Sequence, residues 1–237
     1  MSRTFVLITS SLVLAVAACG GSSSGSGDAA IDSPPSVDGV ATADGAVLAD
    51  APLVDARVLP VGMLEARPYL SEADSPFTGL TFPSYFHLED FEDRAVNTPG
   101  LSADSASFGN DFGTLVDSVD GDDGTIDDMC PTGSCDSIFG GGQVTFTFDA
   151  VALGALPTHV GVVWTDGGTG CDVTFEAFDT EGTSLGATTA TAVGDDSNTG
   201  TTAEDRFLGI VAPAGVASFR ISNSTGGTEA DHVQYGR

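Results

Sequence analysis

The chain has 237 residues, a formal net charge of −27, and 34 acidic residues against seven basic ones, all of them arginine. So acidic a balance opposes binding to nucleic acid or to anionic lipid headgroups, and favours solubility and attraction of cations. A solvated acidic surface carries the same charge, so the charge alone does not identify a metal site.

Met1-Ser2-Arg3-Thr4 is a short basic start, and an apolar run over residues 5–17 follows, interrupted only by Thr9, Ser10 and Ser11. A spanning helix needs about 20 apolar residues, so this run is too short and suits the h-region of a signal peptide. It ends in Val16-Ala17-Ala18-Cys19, which resembles the bacterial lipobox: an aliphatic residue, two small residues, then cysteine. The resemblance implies cleavage after residue 18, lipid on the thiol of Cys19, and a membrane as partner. Each buried methylene contributes about 0.8 kcal/mol, and stable anchoring takes more than one acyl chain. Gly20 stands where some bacteria place an Asp as an inner-membrane retention signal, so the outer membrane or cell surface is the expected location.

Residues 19–57 read as a tether. Gly, Ser, Ala, Asp and Pro dominate there, and a loose Asp-Ala-Pro theme recurs. Such a segment buries too little apolar surface to offset chain entropy, so disorder is expected, extended by repelling carboxylates and prolines. In residues 58–84, Pro60, Pro68, Pro76 and Pro83 break any long element. An irregular lead-in is expected there, with one helical turn near Met63-Leu64-Glu65-Ala66.

From residue 85 to the end, short alternating runs are bounded by turn residues. Val144, Phe146 and Phe148 alternate with Thr145 and Thr147, the period-two signature of a half-buried strand. Val160, Val162 and Trp164 repeat it, as do Val173 and Phe175, and Ala217, Phe219 and Ile221. Shorter candidates cover 85–91, 184–192, 206–212 and 231–235. About eight strands in roughly 150 residues, with no convincing helical periodicity, predict an all-β domain built as a two-sheet sandwich or barrel.

The cysteines other than Cys19 are Cys130, Cys135 and Cys171. Cys130 and Cys135 enclose Pro-Thr-Gly-Ser, a turn-like insert, and a disulfide between them is expected in an exported protein. Cys171 is then a buried free thiol. The three histidines, His87, His159 and His232, are scattered and fit no zinc spacing.

Two segments carry a family resemblance. The opening strand reads His87-Leu-Glu-Asp-Phe-Glu-Asp-Arg94 and the closing strand Glu229-Ala-Asp-His-Val-Gln-Tyr235. Together they resemble the jelly-roll carbohydrate-binding modules of galactose-binding type. The resemblance implies a jelly roll whose first and last strands lie together, with Glu92 and Asp231 holding a structural calcium ion. Arg94 departs from the Gly that the group prefers. The stretches 156–166, 173–179 and 202–207 also look like a secreted bacterial module found on anchored surface proteins, which bears on location and fold alone.

A second calcium candidate is the acidic loop over 117–128, where Asp120, Asp122 and Asp123 stand among glycines. Calcium takes six to eight oxygens from flexible carboxylates and carbonyls. The loop is not an EF-hand, because Gly124 replaces an acidic ligand and no Glu closes it. Trp164, Tyr85 and Tyr235 are candidate ligand contacts, although Trp164 shares the parity of Val160 and Val162 and so fits the core. The leading expectation is a non-catalytic surface lipoprotein with a calcium-stabilised sandwich that binds a glycan or another envelope component. The alternatives are an envelope assembly protein without a small ligand and, further off, a hydrolase.

Overall fold

The computed structural model describes residues 57–105, 107–108, 117–122, 124–126, 135–195, 197 and 203–237. The signal peptide, Cys19, the tether up to residue 56, Asp123 and Cys130 lie outside the described residues, as does the side chain of Asp122. In chain order the described elements are β1 (Gly62–Pro68), a 3-10 turn (Glu72–Asp74), β2 (Phe86–Glu89), β3 (Leu101–Ala103), β4 (Ser107–Phe108), α1 (Val119–Asp122), β5 (Ile138–Gly140), β6 (Gln143–Phe148), α2 (Ala150–Leu153), β7 (His159–Asp166), β8 (Val173–Phe178), β9 (Ser184–Ala190), β10 (Arg206–Val211), β11 (Ser218–Asn223) and β12 (Thr228–Gly236).

The strands form two antiparallel sheets that pack as a jelly-roll sandwich. One runs β1-β10-β7-β12-β5-β4, with β2 also paired to β12; the other runs β3-β6-β11-β8-β9. The opening strand therefore lies beside the closing strand, with Tyr235 opposite His87 and Val233 opposite Glu89. Between the sheets lies the main core. Val144, Phe146 and Phe148 enter it from β6, Val173 and Phe175 from β8, and Phe219 and Ile221 from β11. Their polar alternates face outward, where Arg220 meets Glu176 across the β11–β8 pair at 2.7 Å.

Three expectations are corrected. The lead-in is not irregular at its centre: residues 62–68 are β1, an edge strand paired with β10, and the short helical turn falls at Glu72–Asp74 instead. An edge strand tolerates Pro68 at its end because no ladder there needs the missing N–H. β7 is not half-buried: Val160, Val162 and Trp164 face the main core, while Val163 belongs to a second apolar cluster with Leu64, Tyr69, Phe77, Phe207 and Val211. Residues of the lead-in thus form a third layer over the outer face of the seven-stranded sheet. Gly161 makes room for this layer, since a Cβ there would stand 2.1 Å from Cζ of Phe207. Third, Trp164 and Tyr235 are fully buried and are core residues, not ligand contacts.

Candidate binding groove

The third layer leaves a groove of about 500 Å³ against the sheet, within the size range of small-ligand sites. Glu72, Ser75, Thr81, Phe82, Phe86 and Gln234 line it. Phe82 and Phe86 stack with centroids 4.8 Å apart, and buried Phe77 meets both edge-on. This arrangement fixes an aromatic surface whose outer member, Phe86, is 39% exposed. A large apolar side chain held open beside a carboxylate and several hydroxyls can stack on a flat C–H face and hydrogen-bond its rim.

Beneath the groove lies a buried polar layer. Its origin is a bulge in β12: Asp231 pairs with Val163 and Gln234 with Gly161, so β12 carries one residue more than β7 over that stretch. His232 absorbs the extra residue with φ 44°, an uncommon left-handed conformation for a side chain of this size. Asp231, His232 and Gln234 consequently contact the covering layer, while Val233 and Tyr235 enter the main core. Ser75 donates from Oγ to Oε1 of Gln234, whose Nε2 donates to Oη of Tyr69 at 2.8 Å. Tyr69 Oη stands 3.1 Å from Nδ1 of His232, and Nε2 of His232 faces Oδ2 of Asp120 at 3.7 Å. Asp231 accepts from Oγ of Ser118 and the amides of Val119 and His232 at 2.9, 3.1 and 2.7 Å.

Burial pushes the Asp231 carboxyl up to about 8 despite these donors. Burial alone lowers His232, but the Asp231 and Asp120 carboxylates outweigh it and leave the ring above its ordinary value. Burial also raises the Tyr69 hydroxyl, which keeps its proton throughout the physiological range.

The structure brings together only part of the expected calcium set. Asp120 and Asp231 converge with His232, their ligand atoms lying within 4.8 Å of one another. Glu92 is not in this group; its Oε1 accepts from the amide of Asp136 at 2.8 Å. The convergent set does not suit calcium, because one donor is a nitrogen and Asp231 already accepts three protein hydrogen bonds. A second cluster of carboxylates lies at Glu204, 4% exposed, which takes the amide of Asp195 on Oε2 at 2.7 Å and meets the side chain of Asp166. Burial and then the Asp195 and Asp166 carboxylates push Glu204 up to about 8; burial and then Asp166 push Glu229 up to about 7.

The remaining expected residues are engaged in structure. Tyr85 stacks on His87 and donates to the carbonyl of Ala155 at 2.6 Å, outside the groove lining. Tyr235, whose hydroxyl burial pushes up to about 12, donates to the carbonyl of Pro99 at 2.6 Å. Trp164 donates to Oδ1 of Asn223 at 2.8 Å. Cys135 is disulfide-bonded, its expected partner Cys130 lying outside the described residues, and Cys171 is a buried free thiol. Tyr69, Ser75 and Gln234 escaped sequence reasoning. Only the Gln234 position carried a signal, as the one uncharged polar side chain in the closing strand after Asp231 and His232.

No protein-family model and no curated protein matches this chain. Among solved structures it is similar to the enzymatically active domain of tailspike protein 4 of bacteriophage CBA120, with a TM-score of 0.31 and 14% identity over 62% of this chain and 20% of that one. The chain thus spans about a fifth of the tailspike chain's length. It is also similar to the carbohydrate-binding module TmCBM61, solved in complex with β-1,4-galactotriose, with a TM-score of 0.29 and 11% identity over 63% of this chain and 95% of that one. The fold assignment rests on the two sheets and their strand order.

Proposed function

We propose that this protein is a non-catalytic surface lipoprotein, held to the membrane by lipid on Cys19, whose jelly-roll domain binds an oligosaccharide in the groove at Phe86. The observation that carries the reading is the Phe82–Phe86 stack, held open beside Glu72, Thr81 and the Ser75–Gln234 pair. A pyranose ring offers the complementary surface: an apolar C–H face for Phe86 and a ring of hydroxyls that accept from Thr81 and donate to Glu72.

Titration calorimetry against a panel of neutral and acidic oligosaccharides, with β-1,4-galactotriose as the first probe, tests the groove. Wild-type protein is expected to bind at least one member, and Phe86→Ala to bind it at least about tenfold more weakly while still folding cooperatively, since truncating an anchoring aromatic costs about 2 kcal/mol or more. Binding that Phe86→Ala leaves unchanged, or a blank across the panel, refutes the reading.

A further inference from the structure

The groove floor and the buried acidic centre are joined by a run of hydrogen bonds from Ser75 through Gln234 and Tyr69 to His232, whose ring faces Asp120 at 3.7 Å. Ser75, Gln234, Tyr69 and His232 are all at least nine-tenths buried, so each polar hydrogen must find a protein partner. With Gln234 presenting Oε1 to Ser75 and Nε2 to Tyr69, the direction of the remaining bonds follows. Tyr69 accepts from Nε2 of Gln234 at 2.8 Å and must spend its own hydrogen on Nδ1 of His232. Nδ1 is then unprotonated, and the neutral ring carries its hydrogen on Nε2 towards Asp120. At the other end Ser75 gives its hydrogen to Gln234, and its Oγ accepts from the amide of Phe77 at 3.1 Å.

A second proton on His232 reverses the run. Nδ1–H now donates to Tyr69, so Tyr69 must donate to Gln234. The Gln234 amide turns over to present Oε1 to Tyr69 and Nε2 to Ser75. Ser75 then accepts from both Gln234 and Phe77, and its hydroxyl hydrogen has only the groove left to point to. We infer that His232 sets the hydrogen-bond polarity of the groove floor: Ser75 offers an acceptor to the ligand when the ring is neutral and a donor when it is protonated. The inference rests on the groove being the ligand site.

The groups that face His232 are named by their elements. Asp231 is on its own strand, Asp120 on α1, Asp90 just beyond β2, and Tyr69 just beyond β1. Asp231, Asp120 and Asp90 favour the charged ring and outweigh its burial, so the reversal is placed above the ordinary imidazole range.

The consequence is selectivity between ligand classes. A sugar hydroxyl rotates to suit either state of Ser75, whereas a uronate carboxylate can only accept. Acidic oligosaccharides should therefore be favoured over neutral ones at low pH.

The test has two arms. In the free protein, ¹⁵N spectra of the His232 ring and the Gln234 side-chain amide are followed from about pH 5.5 to 8.5. Both are expected to titrate with one midpoint in the wild type. In Tyr69→Phe the ring should still titrate while Gln234 no longer follows. Gln234 signals that stay constant while His232 titrates in the wild type overturn the inference. In the second arm, calorimetry with an oligogalacturonate and its neutral counterpart should show their affinity ratio shifting by about tenfold across the range, one hydrogen bond of about 1.4 kcal/mol. Tyr69→Phe retains Glu72 and the general field, so it separates the relay from bulk electrostatics; a ratio shift undiminished in that variant overturns the inference. Should Tyr69→Phe not fold, Ser75→Ala serves in its place: Gln234 should still follow His232, and the ratio shift should vanish. Loss of all oligosaccharide binding with the spectroscopic coupling intact would refute the groove and leave the relay standing.

Discussion

Raising the pH from about 5 to about 8 should destabilise this domain, because two buried carboxyls hold protons in the folded state that the unfolded chain gives up. Glu204 is pushed from the usual 4.5 to about 8 and Glu229 to about 7. Above about 4.5 the unfolded chain loses both protons while the folded chain keeps them, so the folded state binds more protons and stability falls with rising pH. The contribution is complete below about 4.5 and is lost by about 8. At 1.36 kcal/mol per unit, Glu204 accounts for at most about 5 kcal/mol and Glu229 for at most about 3. Both have Asp166 as a neighbour, so the two ceilings do not add. Asp231 and His232, both raised, act in the same direction. A loss of at least about 2 kcal/mol between pH 5 and 8 is the expected net result. Urea unfolding in EDTA, followed by the fluorescence of the single, buried Trp164, measures it. Glu204→Gln should flatten the slope. A stability that is constant or rising over this range in EDTA would refute the reasoning.

Trp164→Phe removes the donor to Oδ1 of Asn223 and part of a fully buried ring. It should cost about 2–4 kcal/mol, read as a melting temperature lower by about 5–15 °C, while oligosaccharide affinity stays unchanged. An altered affinity at unchanged stability would return Trp164 to the ligand site. Cys19→Ser should shift the protein from the detergent phase to the aqueous phase on phase partition, with the folded domain's melting temperature unaffected. Retention in the detergent phase would remove the lipid anchor.

The legible parts of this fold are those where one face of a strand is dry and the other wet. β6, β8 and β11 show it: among the described residues their outer faces meet no further layer, so alternation in the sequence maps directly onto burial. β7 and β12 are covered on both faces, and a covered face needs no polar alternates, so Val163 and Thr165 broke no visible rule. The covering residues are far upstream, around Leu64, Tyr69 and Phe77, and the prolines among them suggested a linker. Those prolines mark the boundaries of β1 and of the turns after it. A strand at the edge of a sheet needs only one partner, so it leaves a short signal.

The bulge at His232 explains how Asp231 comes to face Asp120 and not Glu92. Strict alternation would put Asp231, Val233 and Tyr235 on one face and His232 and Gln234 on the other. One extra residue in the strand instead sends Asp231, His232 and Gln234 to the covering layer and leaves the two apolar residues in the core. That single slip does three things. It satisfies Asp231 with protein donors, which takes it out of competition for an ion. It brings a titratable ring under the aromatic groove. It also supplies, in Gln234, an amide that can bond in either orientation between a tyrosine and a serine. An apolar residue at any of these three positions would close the layer equally well as packing, but would disconnect the groove from the protons below it. The polar identity of this buried face adds to the Phe82–Phe86 stack as a structural argument that the groove is used.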